Sequence, residues 1–86
     1  MPLQPALEAK LARLYPPDAT VAEAFRGKDL TIITNGQGQA ITCFIGKRNA
    51  DGSIAGERYV RRLQFEPDGS TIRKSHWELK GKVGRA

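Results

Sequence analysis

The chain is poor in the residues from which catalytic and metal centres are built. Among its 86 residues there are one cysteine, one histidine and one tryptophan. A lone Cys43 excludes an intramolecular disulfide. With His76 as the only imidazole, a structural zinc site is excluded too, since it needs three or four nitrogen and sulfur ligands. No apolar run approaches the roughly 18 residues of a membrane span, so no membrane partner is expected. Met1-Pro2-Leu3-Gln4 lacks the basic and apolar segments of a secretion signal, and together with the unpaired cysteine this leads us to expect a reducing, cytoplasmic setting.

Nucleotide motifs are missing although glycine is plentiful. Gly46-Lys47 is followed by Arg48 and has Ile41 where a phosphate loop needs its first glycine. Gly36-Gln37-Gly38 has Ile41 where a dinucleotide fingerprint needs its third. Asn49-Ala50-Asp51-Gly52 lacks the glycine spacing and closing glutamate of a calcium loop and reads as a turn. No cofactor is expected.

What is present is a small globular composition, with 40% hydrophobic and 27% charged residues, enough for one domain and one core. The charge is lopsided. Residues 1–29 balance Lys10, Arg13, Arg26 and Lys28 against Glu8, Asp18, Glu23 and Asp29, so the whole net charge of +5 lies in residues 30–86.

Pro5 suits a first helical turn, and Leu7, Leu11 and Leu14 recur at helical spacing, predicting a helix over residues 5–15 that Pro16 and Pro17 end. Residues 20–26 satisfy both a short helix, through the Thr20 and Glu23 capping spacing, and a strand; six residues make a poor helix, so strand is preferred. From residue 30 the apolar period is two. Leu30–Thr34 and Gln39–Gly46 flank a glycine-rich loop at 35–38, which predicts a hairpin pairing Thr34 with Gln39, Ile32 with Ile41 and Leu30 with Cys43. Residues 49–53 form a second connection. Pro67-Asp68-Gly69 forms a third, predicted to pair Glu66 with Ser70, Arg62 with Lys74, Val60 with His76 and Tyr59 with Trp77. Residues 80–86, rich in lysine and glycine, read as a flexible basic tail after a domain spanning 1–79.

The expected fold is therefore α+β: an N-terminal helix packed on a four- to five-stranded antiparallel meander, with Leu7, Leu11, Leu14, Tyr59, Phe65 and Trp77 filling the core. The order of helix, Tyr-Pro turn, strand and Asp-Gly hairpins, through Leu14, Tyr15, Pro16, Ala19, Thr20 and Val21, resembles the first third of PepSY-type modules of bacterial envelope proteins. Such modules are usually exported, whereas this chain shows no export signal, and the resemblance carries no site across.

In the predicted register Arg58, Arg62, Lys74 and His76 share one sheet face with Glu78, and Lys80 extends it. Like charges facing each other across strands are destabilising, so such a stripe points to an anionic partner. Cations on an exposed sheet also protect it from edge pairing and keep it soluble. The expected function is a non-catalytic interaction or adaptor module that binds an acidic protein through Arg58, Arg62, Lys74, His76 and Lys80 or through a strand edge. The alternative is sequence-nonspecific nucleic-acid binding by the same residues, with only Phe44 placed outward for stacking. A glutamate, a histidine and arginines on one face are also groups that a metal-independent ribonuclease would use, although no catalytic constellation is resolved and no enzymatic activity is expected. Homodimerisation through a sheet edge or the Ile33 and Phe44 face would add burial to a small core.

Overall fold

Alternating apolar residues and four glycine-bearing turns lay the chain out as one meandering sheet. The computed structural model describes residues 5–69 and 71–85. The expected partner Ser70 and the chain ends at 1–4 and 86 lie outside the described residues. One short helix, α1 (Pro5–Leu11), precedes β1 (Thr20–Phe25), β2 (Lys28–Thr34), β3 (Ala40–Arg48), β4 (Ile54–Phe65) and β5 (Ile72–Val83). The strands form a five-stranded antiparallel sheet in the order β1-β2-β3-β4-β5, a mostly-sheet α+β architecture.

The helix is shorter than its leucine spacing predicts. Ala12 still bonds back to Glu8, but Leu14 pairs with Gln39 and the Tyr15 amide donates to Gly38 O at 2.8 Å. Sheet-like pairing thus captures the chain before the prolines are reached. The Tyr15 hydroxyl donates to Lys10 O at 2.9 Å, joining the Arg13 amide, at 3.3 Å, on that carbonyl of the last helical turn. Leu14 consequently stands 74% exposed instead of in the core.

Each turn is made by residues that accept a positive φ. Arg26 and Gly27 connect β1 to β2 at φ 49° and 81°, the pattern of a two-residue turn whose twist matches the strands. Between β2 and β3 the Asn35 amide donates to Gln39 O and the Gly38 amide to Asn35 O, each at 3.0 Å. The loop is therefore three residues long, not four. Gly38, at φ 77°, is required twice over, because a Cβ there would also collide with Tyr15 O.

The predicted registers are displaced while the faces hold. Thr34 pairs with Ala40, Ile32 with Cys43 and Leu30 with Ile45, with Ile41 the extra residue at a bulge. In the last hairpin the Glu66 amide donates to Thr71 O at 2.8 Å. A bulge at Arg73 then sets Arg62 against His76, Arg61 against Trp77 and Tyr59 against Leu79. A bulge residue shifts every later pair by one, so in each hairpin a one-residue change at the loop plus one bulge moves the register by two and leaves residues 42–45 and 74–79 on their expected sides, whereas Ala40 and Ile72, between loop and bulge, change sides: Ala40 joins the core and Ile72 faces Phe65. Lys80–Val83, expected as tail, are strand: Val83 pairs with Gly56 and Lys82 with Glu57.

One face collects Leu30, Ile32, Ala40, Cys43, Tyr59 and Trp77 into a single buried cluster that includes Leu7 and Leu11 of α1. We call this the core face. Lys10 reaches Glu23 of β1 at 3.4 Å. The core ends where β3 ends, since β3 pairs with β4 only from Arg48↔Ile54 to Thr42↔Val60. Beyond Val60, β4 has β5 alone as a neighbour, and the two run out as a ribbon whose Phe65 is 37% exposed rather than buried. Five residues of strand carry it about 17 Å past the sheet. The radius of gyration of 12.9 Å accordingly exceeds the roughly 12 Å of a compact chain of this length.

Candidate anion-binding face

The opposite, outer face of the sheet is built by the alternate residues of every strand. Thr20, Ala22 and Ala24 of β1 are exposed; Thr31 and Ile33 of β2, Thr42 and Phe44 of β3 and Val60 of β4 are half-buried. Ile54 is its one fully buried member among the described residues. Ile33 lies opposite Thr42, Thr42 opposite Val60, and Phe44 between Thr31 and Arg58. An apolar centre of Ile33, Phe44 and Val60 thus adjoins the cations of the last hairpin.

Arg58, Arg62, Lys74 and His76 all occupy this face and are exposed. From Arg58 to Gln64, which faces Lys74, is six residues of strand, so the stripe is about 20 Å long. The expected apposition of Arg62 and Lys74 is replaced by Arg62 against His76, and Lys74 faces uncharged Gln64. Lys80 is the extra residue at a bulge between Arg58 and Tyr59, beside the stripe. Glu78, diagonal to Arg62, accepts ion pairs from Arg62 Nε at 3.3 Å and Lys80 Nζ at 3.0 Å. The Lys80 hydrogen bond first, and then the charges of Arg62, Lys80 and His76, hold the Glu78 carboxyl below the ordinary glutamate value. Two of the five expected cations are therefore engaged with one carboxylate, and Arg58, Lys74 and His76 carry no ion pair among the described residues.

Two further arginines are held by the fold. The Arg48 guanidinium donates to Leu30 O at 2.6 Å, Gly52 O at 2.7 Å and Thr31 Oγ1 at 3.1 Å. Arg61 lies on the core face, donating to Ser75 Oγ at 2.6 Å and Ala40 O at 3.2 Å with its guanidinium 5.8 Å from the Trp77 ring centre. Burial lowers its pKa from the usual arginine value, with Glu8 opposing. Neither residue is marked out by sequence; only the placement of Arg61 on the aromatic side hinted at its role. Cys43 is buried in the core, and burial pushes its thiol up to about 12.

Among the described residues no three His, Cys, Asp or Glu side chains converge as metal ligands, and no helix is long and apolar enough to cross a membrane. No family model, curated protein or solved structure matches the chain.

Proposed function

We propose that the protein is a non-catalytic binding module whose outer sheet face takes an acidic protein partner. The observation that supports this reading is the juxtaposition of half-buried Phe44, Val60 and Ile33 with exposed Arg58, Lys74 and His76 on one face. An apolar and aromatic centre rimmed by arginine is the anatomy of a protein interface, where a desolvated anchor supplies affinity and rim charges supply orientation and encounter rate. Arg62 and Lys80 would exchange part of their contact with Glu78 for carboxylates of the partner. A purely phosphate-tracking surface has no use for the apolar centre.

The nucleic-acid reading is favoured by a different observation. The projecting ribbon carries Arg62, Arg73, Lys74 and His76 on a two-stranded element, and such ribbons fit a major groove. The two are separated by fluorescence anisotropy with a labelled acidic peptide of alternating glutamate and leucine, single-stranded RNA and double-stranded DNA, at low and near-physiological salt. The acidic-partner reading expects the peptide to bind and both Phe44→Ala and Arg58→Glu/Lys74→Glu to weaken it. Binding confined to RNA or DNA, insensitive to Phe44→Ala and steeply salt-dependent, would transfer the face to nucleic acid. Absence of binding by all three probes at low salt would leave the stripe a solubility device.

A further inference from the structure

The two free edges of the sheet are unlike. β5 carries Arg73, Lys74, His76, Lys80 and Lys82, and two of these, Arg73 and Lys80, are extra residues at register shifts. Lysines and bulges are the devices by which an edge strand resists pairing with another chain. β1 has neither. Its six residues, Thr-Val-Ala-Glu-Ala-Phe, run in unbroken register against β2 from Thr20↔Ile33 to Phe25↔Lys28 and include no cation.

The two-residue turn sets which backbone groups of β1 are free. Phe25 and Lys28 close the turn as a hydrogen-bonded pair, so Phe25, Glu23 and Val21 direct their amides and carbonyls to β2. The Thr34 amide donating to Ala19 O at 2.9 Å continues that phase. Thr20, Ala22 and Ala24 therefore direct theirs outward, from side chains that are small and exposed.

We propose that β1 pairs antiparallel with β1 of a second copy of this chain, about a two-fold axis through Ala22. In that register Ala22 faces the partner's Ala22, Thr20 faces the partner's Ala24, and Val21 faces the partner's Glu23. All three outward-directed residues then form bonded pairs. At the two ends Arg26 and the partner's Asp18, each just outside β1 at φ 49°, come near one another, twice by symmetry. Asp18 and Arg26 are both exposed, and neither has an ion pair within the chain among the described residues. A slip of two residues in one direction sets Glu23 against the partner's Glu23, and in the other it loses both the Arg26 contacts and bonded pairs. A slip of one puts outward groups against inward ones. The axis stands perpendicular to the sheet, so two five-stranded sheets join with both outer faces on the same side.

Sedimentation equilibrium of the full chain, from about 1 to 500 μM, tests this without reference to any acidic partner. A dimer is expected, and Ala22→Lys, which sets two ammonium groups across the axis, should raise its dissociation constant at least about tenfold. Arg26→Glu should raise it less, with the difference shrinking as salt rises. Circular dichroism reports whether each variant folds; should Ala22→Lys unfold, Arg26→Glu at its exposed turn decides. Arg58→Glu/Lys74→Glu should leave the dimer intact, so failure of the outer-face reading is distinguishable from failure of this one. A monomer throughout the range, or a dimer whose dissociation constant neither β1 variant moves, overturns the proposal.

Discussion

Thr34 joins the start of the sheet to the corner that leads into it, and replacing its hydroxyl should cost more than its size suggests. The residue is 5% exposed. Its Oγ1 accepts from the Ala19 amide at 2.9 Å and donates to Pro16 O at 2.7 Å, while its own amide donates to Ala19 O at 2.9 Å. Thr34→Val keeps the shape and removes both side-chain bonds. Each is worth about 0.5–1.5 kcal/mol, and a sheltered amide left without a partner costs about 1–3 kcal/mol. Partial access of water to Ala19 lowers that cost, and we expect a net loss of about 2–3 kcal/mol. For a chain of this length, with total stability of roughly 4–13 kcal/mol, such a loss lowers Tm by about 10–20 °C. Urea unfolding followed by the fluorescence of Trp77 measures it, with the m-value unchanged. Thr34→Ser is the control: it keeps the oxygen and loses only a methyl, about 1 kcal/mol. If valine proves no more damaging than serine, the hydroxyl does not hold the corner and the reasoning fails.

Gly46 and Gly56 face each other across β3 and β4, and a Cβ on either would strike the opposite backbone, at Ala55 O or Ile45 O respectively. Gly46→Ala or Gly56→Ala should therefore destabilise by about 1–3 kcal/mol or more, whereas Gly84→Ala, with open space around it, should be near neutral; thermal melts of the three variants check this. Cys43, with its thiol pushed up to about 12 by burial, should be inert to a thiol-specific reagent at pH 8 in the folded protein and react fully in denaturant. Glu78 should titrate below the ordinary glutamate value of 4.5. A carboxyl depressed in the folded state contributes stability that is complete above the unfolded value and is lost as pH falls through the folded one, so its contribution is constant above about pH 4.5 and falls away only below it. Lys80→Gln should move the Glu78 carboxyl resonance titration upward, and an unmoved titration would show that the hydrogen bond is not the main cause.

Strands, turns and the division of the hairpins into two faces were legible because apolar alternation and glycine placement are local signals. Tyr59 and Trp77 fall on the predicted face although their predicted pairing is wrong. Bulges at Ile41, Arg73 and Lys80 leave no compositional mark, and they decide which residues meet. For that reason the sequence pattern places Arg62 and His76 on one face but not opposite each other, and it does not reveal the Glu78 ion pairs. The leucine period, continuing to Leu14, predicts too long a helix, because the backbone there is claimed by Gly38 and Gln39, more than twenty residues away. Alternation places Phe65 in the core because it reports which way a side chain points and is silent on where the neighbouring strand stops.

That stopping point divides the sheet mechanically. Up to Val60, β4 is braced on both sides; past it each strand of the ribbon is braced by one, and a two-strand ladder is only marginally stable in water. Backbone amides of Leu63 and Ser75 should thus exchange with solvent through local opening, while those of Ile32 and Cys43 wait for global unfolding. The ribbon behaves as a lever on a fixed footing, and shortening or lengthening it should leave the footing's shape unchanged.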